Sequence, residues 1–378
     1  MKQHVGFPFT LVDAVAIAAT DRARTPMAVA LLSSVLLAGC QSPGAPTLAS
    51  GGAPNPRIAA PAARASTLFV SGGNAPLRIL ALAATSKSAK PLRTIGNPSK
   101  LFGNNFFITY DAPSDRLWLT NCPYNRSSSP VVAFDADATG DDVHPDVLIH
   151  GSKTTLSQCQ LGIGVDRSGY VYVSDQAKQG HRFSGQVAVF APGQQGDVAP
   201  SRRIAGIKAD FRSPSGLAID ARGRLYVGNT CFDLRPICTS GINIYAPGAS
   251  GDVAPIARIE GPKTGLYSAT GLAFDSSGYL YVSDYETNRI LVFAPNAKGD
   301  VAPVRIIAGG KTHLRSPSGI AVDGAGYIYV GNIVYTESQL RKWPLLVFAP
   351  DADGDVAPVQ SIVPKVTPFV QTSGVALR

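Results

Sequence analysis

Helical periodicity is what this chain lacks most. Across roughly residues 66–378, no stretch places apolar residues at alternating three- and four-residue steps, so strands are left as its building element. Long hydrophobic runs are missing too. The most apolar stretch, Met27 to Gly39, is about a dozen residues, too short to span a bilayer as a stable helix. There is no Gly-x-Ser-x-Gly nucleophile elbow and no glycine-rich phosphate loop, which removes two common routes to catalysis. The 5 cysteines include no close pair at zinc-site spacing, and the 5 histidines are scattered. The chain is basic, with 34 Lys and Arg against 26 Asp and Glu and a net charge of +8. That charge is spread along the sequence and not gathered into a run, the footprint expected of a nucleic-acid binder.

What the chain has instead is a repeat. Gly299-Asp300-Val301-Ala302-Pro303 is closely matched by segments beginning at Gly196, Gly251 and Gly354, and more loosely at Gly140 and Ser88. The positions Ala89, Val143, Val198, Val253, Val301 and Val356 are separated by 54, 55, 55, 48 and 55 residues. A fixed period of this size marks one supersecondary unit that cannot bury its own apolar face and stacks on copies of itself.

Each unit reads as four strands. In the last one, Gly319–Val322 is a short apolar run, Gly324-Ala325-Gly326 supplies a turn, and Tyr327–Val330 is β-branched and aromatic. Leu345–Phe348 is a third strand, stopped by Ala349-Pro350, and a fourth follows the Gly-Asp-Val-Ala-Pro segment. The folded part starts on a second strand near Leu68 and ends on a first strand near Gly374. Pairing those two would complete one blade from both chain ends and close a ring, leaving only short outer edges. The expected fold is all-β: a six-bladed β-propeller of four-stranded antiparallel blades. Arg93, Arg203, Arg258 and Arg305 fall on the outermost strands, where charge discourages edge-to-edge pairing. Asp197, Asp252, Asp300 and Asp355 read as turn-formers on the bottom face.

Gly271–Asp275, Tyr279–Val282 and Ser283–Phe293 together resemble an NHL repeat. The likeness covers roughly residues 66–378 and is strongest in blades three to six. Six-bladed propellers of this kind include binding domains as well as lactonases and lyases, so the resemblance implies the fold and leaves the activity open. Gluconolactonase-like members hold a divalent cation with Glu, Asn and Asp in the channel. The only glutamates here are Glu260, Glu286 and Glu337, and none begins a first strand. Amidating lyases use a His-bound zinc, whereas His144, His150, His181 and His313 show no motif spacing.

Leu37-Ala38-Gly39-Cys40, at the end of the apolar run, resembles the bacterial lipobox, with Cys40 as the acylated residue. That implies residues 1–39 as a signal peptide and extracytoplasmic attachment to the membrane through lipid alone. Gln41 after the cysteine implies the outer membrane in a Gram-negative cell. Residues 40–65, rich in Pro, Gly, Ala and Ser, read as a disordered tether, and 66–378 as the propeller. Export favours disulfides among the remaining cysteines, with Cys231 to Cys238 and Cys122 to Cys159 as the expected pairs.

The connections between second and third strands are long in blades two, three, four and six. They carry Tyr124 and Arg126, then His181, Arg182 and Phe183, then Arg235, then Tyr335, Arg341 and Trp343. Lengthening on one face of a repeat protein points to binding, and aromatics mixed with cations suit an envelope protein, a glycan or an anionic polymer. Asn121, Asp175, Asn229, Asp284 and Asn332 end the second strands as a polar ring at the channel mouth. Recurrence in five of the six blades assigns them to holding turns ahead of binding a ligand. Asp135-Ala136-Asp137 and Asp351–Asp355 lack the full ligand series of a calcium loop. The sequence therefore points to a monomeric, non-catalytic binding or scaffold module without cofactor or nucleic-acid partner. The alternative is a metal-dependent lactonase or lyase using calcium or zinc.

Overall fold

The computed structural model describes residues 67–72, 77–85, 90–97, 104–122, 129–157, 159–179, 182–230, 240–333, 345–363 and 372–378. All of these belong to the compact unit Ile58–Arg378. Blade one opens with β1 (Thr67–Gly72), β2 (Leu77–Ala83) and β3 (Arg93–Asn97). Blade two is β4 (Asn104–Asp111), β5 (Arg116–Cys122), β6 (Val131–Asp135) and β7 (Val147–Ile149). Blade three is β8 (Cys159–Val165), β9 (Val171–Gln179), β10 (Arg182–Phe190) and β11 (Arg202–Ile204). Blade four is β12 (Pro214–Ile219), β13 (Leu225–Asn229), β14 (Gly241–Tyr245) and β15 (Ala257–Glu260). Blade five is β16 (Ala269–Phe274), β17 (Leu280–Asp284), β18 (Arg289–Phe293) and β19 (Arg305–Ile307). Blade six is β20 (Pro317–Val322), β21 (Ile328–Asn332), β22 (Leu345–Phe348) and β23 (Gln360–Ile362).

The last strand, β24 (Gly374–Leu377), returns to blade one and gives the sheet order β24-β1-β2-β3. It pairs antiparallel with β1, Val70 opposite Val375 and Ser71 opposite Gly374. The ring is closed by hydrogen bonds between the two ends of the folded chain, as the strand offset in the sequence predicts. Arg378 extends the closure into blade two through ion pairs to Asp115 (2.7 Å) and Asp137 (2.6 Å).

Alternation along the strands decides where the core lies. In β2, Ile79 and Ala81 face blade two, while Leu80 and Leu82 face blade six. Each described apolar cluster therefore fills a seam between blades, and a blade is buried on both faces. The final aromatic of the third strand, such as Phe134, Phe190, Phe293 or Phe348, is fully buried in such a seam.

The Gly-Asp-Val-Ala-Pro segment turns out to join one blade to the next. In the blade two to three seam, Gly196 forms an isolated parallel bridge with Ile149 of the preceding blade. The Asp197 carboxylate accepts the Lys153 N–H at 2.7 Å, capping the short 3-10 turn Ser152–Thr154. Val198 packs in the seam beneath. The same bridge recurs as Ile204 with Gly251, Ile259 with Gly299 and Ile307 with Gly354. Asp252, Asp300 and Asp355 accept from Lys208, Lys263 and Lys311, each at 2.7 Å. These aspartates are therefore clasps on the preceding blade rather than turn-formers of their own. Asp355→Ala is expected to cost about 1–2 kcal/mol, since one charge-assisted bond and the cap of a 3-10 turn are lost. Urea denaturation with unchanged slope would check this.

The outer-strand arginines also differ from expectation, because they are not free charges on an edge. Arg203 Nε donates to Gln186 and Arg258 pairs with Asp210 at 3.0 Å. Arg93 donates to Ala136 O, and Arg305 to Pro350 O and Ala352 O, in the following blades. They act as further ties within and between blades.

Candidate functional site

Six innermost strands, β4, β8, β12, β16, β20 and β24, surround a central channel of about 390 Å³. Each pairs on one side only, so alternate backbone N–H and C=O groups of its free edge face the channel. The side chains between them are mainly aliphatic, among them Ile163, Leu217, Leu272, Ile320 and Val375, with Phe107 and Phe274. Tyr110 is the titratable side chain in this wall, and its hydroxyl donates to Asp115 at 2.8 Å. Burial pushes its phenol up, with the Asp115 hydrogen bond acting in the same direction.

Of the polar ring at the ends of the second strands, Asp175, Asn229, Asp284 and Asn332 do not line this cavity. Their side chains turn into the loop that leads to the inner strand of their own blade. Asp284 accepts the Tyr267 and Ser268 N–H groups at 2.9 Å each, with the Arg289 guanidinium 3.7 Å away. Asn229 accepts from Arg212 N at 2.8 Å and donates to Asp210 O at 2.7 Å. Asn332 does the same with Arg315 N and His313 O, at 3.1 and 3.0 Å.

Asp175 is fully buried, and its carboxylate accepts from Ser157 N, Ser157 Oγ, Gln160 Nε2 and Gln186 Nε2. Burial pushes its carboxyl above the ordinary range against the pull of those donors. Asn121 is the penultimate residue of β5, opposite Asn105. A carboxylate or amide that already holds two to four partners in a dry loop has little left for a ligand.

Other predicted residues fall as follows. Arg182 and Phe183 belong to a strand instead of a loop: they pair across from Gln179 and Lys178, so the blade-three connection continues the β9–β10 ladder. The alternation of the sequence breaks at Gln179 to His181, which hides the extension of the Val171–Gln179 strand into the hairpin. Tyr124, Arg126, His181, Arg235, Tyr335, Arg341 and Trp343 lie outside the described residues, as do Cys40, Cys231 and Cys238. Cys122 ends β5, and Cys159, at the start of β8, is disulfide-bonded.

Glu286 sits in the tight turn between β17 and β18, and burial raises its carboxyl pKa, with Asp284 adding to the effect. Glu260 ends an outer strand. Among the described residues, no three His, Cys, Asp or Glu side chains come together as a metal ion would require. No described helix is long and apolar enough to cross a membrane.

Residues 266–293, covering the start of blade five through β18, match the family model described as NHL repeat. The chain is a six-bladed β-propeller with an NHL repeat match in its fifth blade. No curated protein matches the sequence. Among solved structures, this propeller is similar to a nidogen/laminin complex chain at 15% identity and a TM-score of 0.55, over 82% of this chain and 97% of that one. A protein of unknown function from Bacteroides caccae aligns at 10% identity and a TM-score of 0.57, over 83% and 99%. The periplasmic gluconolactonase of Pseudomonas aeruginosa aligns at 15% identity and a TM-score of 0.51, over 78% and 82%. At these identities the likeness establishes a shared fold.

Proposed function

We propose that this propeller is a non-catalytic binding module, held at the outside of a bacterial cell membrane by a lipid on Cys40. Its partner contacts would come from the long top-face connections, through Tyr124, Arg126, His181, Arg182, Phe183, Arg235, Tyr335, Arg341 and Trp343. One observation carries this reading. The ring residues Asp175, Asn229, Asp284 and Asn332 are committed to backbone and side-chain groups of their own blades, so they are not offered to a partner, and recognition would fall to the long connections. An envelope protein, a glycan or an anionic polymer would suit their aromatic and cationic content. Disulfides Cys122–Cys159 and Cys231–Cys238 would brace two of the connections.

The competing reading is a metal-dependent lactonase, prompted by the fold shared with the gluconolactonase. The donor set such a metal needs does not match the channel wall, which offers aliphatic side chains and backbone groups. The test uses the full-length protein in detergent. Elemental analysis is run with thermal melts in EDTA, and binding to envelope polysaccharide is measured for the wild type and for Tyr335→Ala/Arg341→Ala/Trp343→Ala. Loss of binding at an unchanged melting midpoint is expected. Stoichiometric calcium or zinc with an EDTA-lowered midpoint, together with lactone hydrolysis, would replace this reading by the enzymatic one.

A further inference from the structure

Arg93, Arg202 and Arg305 hold one position in the fourth strands of blades one, three and five, opposite Ala81, Val189 and Val292. In two of the three, the guanidinium is spent on the turn of the next blade. Arg93 donates to Ala136 O at 2.9 Å and lies 3.0 Å from the Asp137 carboxylate. Arg305 donates to Pro350 O at 2.7 Å and to Ala352 O at 3.2 Å. The matching turn beside Arg202 is Pro247-Gly248-Ala249. Counting from the last aromatic of the third strand, Phe134 or Tyr245, Gly248 stands where blade two has Asp137.

Arg202 is thus left without the carboxylate its counterpart has. It donates to Tyr172 Oη of its own blade at 3.1 Å, and its guanidinium carbon lies 4.8 Å from the Tyr170 ring centre and 5.6 Å from that of Tyr172. Stacking on the two rings fixes the plane of the guanidinium. A Cβ at Gly248 would lie 3.6 Å from Nη1, so the edge of the fork points at the missing side chain. Around it is a cavity of about 400 Å³, bounded further by Asp166, Ser168, Gly223 and Pro247.

We propose that this bottom-face seam binds a small hydroxylated carboxylate, a uronic acid in the simplest case, whose carboxylate takes the place Asp137 holds beside Arg93. The planar fork pairs with a carboxylate through two parallel bonds. The exposed Ser168 hydroxyl is placed for a sugar hydroxyl, and Tyr170 and Pro247 offer apolar walls to a pyranose face. The Asp166 carboxylate is taken up by the Ser168 and Tyr170 N–H groups and the Tyr172 hydroxyl. Asp166 also weighs against a phosphate dianion, which its charge repels more than a monoanion. The site lies on the opposite face from the long connections and does not depend on the reading given to them.

The experiment is an NMR titration of the isotope-labelled full-length protein with sodium D-glucuronate, with D-glucose and inorganic phosphate as controls. Saturable shifts confined to the amides of Tyr170, Arg202, Gly223 and Gly248 are expected, weakening as salt is raised. Arg202→Gln is expected to weaken binding by about tenfold or more. Gly248→Asp supplies the carboxylate internally and is expected to abolish binding with the melting midpoint unchanged or raised. Gly248 has φ 74°, which strains any side chain, and Asn296 at φ 61° in the corresponding turn of blade five shows that a short polar residue can be held in this conformation. Absence of saturable shifts, equal response to glucose, stronger response to phosphate, or binding that survives both substitutions would each overturn the assignment.

Discussion

Asp175→Ala is expected to lower the stability of the propeller at neutral pH by about 4 kcal/mol, because four donor groups lose an acceptor in a largely buried loop. Ser157 N, Gln160 Nε2 and Gln186 Nε2 converge on this carboxylate at 3.0, 3.3 and 2.9 Å, with Ser157 Oγ at 2.7 Å. Asp175 and Gln160 are fully buried and Gln186 nearly so, which limits replacement of the lost acceptor by water, while Ser157 is half-buried. The cost falls on the junction where the second and third strands of blade three meet the loop leading to β8.

The same residue sets a pH dependence. Burial raises the folded-state pKa of Asp175 above its ordinary value of 3.8. Its contribution to stability is therefore fully present below the unfolded value and is lost as pH rises through the folded one. Asp175→Asn removes that titration, and Asn is the residue blades four and six use at this position, as Asn229 and Asn332. The stability of Asp175→Asn relative to wild type is expected to rise between pH 4 and pH 7. Urea midpoints at the two pH values decide it. A relative stability that falls over this range would mean that the donors outweigh burial.

Gly309→Ala carries the second large effect, about 3 kcal/mol of destabilisation. Gly309 has φ 123° and ψ 176°, a region open essentially to glycine alone. A Cβ there would lie 2.4 Å from the Asp355 carboxyl carbon, so the substitution also pushes the clasp off the blade it holds. Gly206 and Gly261 repeat the arrangement against Asp252 and Asp300. Combining Gly309→Ala with Asp355→Ala separates the two causes. The steric part should be relieved and the backbone part should remain, so the double variant should lose less than the sum of the single ones. An additive outcome would show that the carboxylate does not crowd the glycine.

The sequence alone determined the class of fold, the number of blades and the closure of the ring. Strand periodicity of two, turn residues at Gly and Pro, and a constant repeat are local properties that hold wherever the chain goes. The offset between Leu68 and Gly374 then left antiparallel pairing of the two ends as the way to complete blade one, and β24 pairs with β1. The inner strands expected at Gly216–Ile219, Gly271–Phe274 and Gly319–Val322 end where the sequence places them and begin two residues earlier, at Pro214, Ala269 and Pro317.

Only the tertiary structure decided what the polar residues do. Asp300 is a turn-former when read locally, yet its partner is the Lys263 amide, 37 residues away in the preceding blade. Arg93 and Arg202 look alike in sequence, and they differ because one faces Asp137 and the other Gly248 across a blade seam. Asp175 and Asp284 resemble ligand-binding carboxylates at a channel mouth, but folding turns both into dry loops lined with donors. A hydrogen bond is fixed by which groups the fold brings within about 3 Å, and in a propeller those groups belong to different repeats.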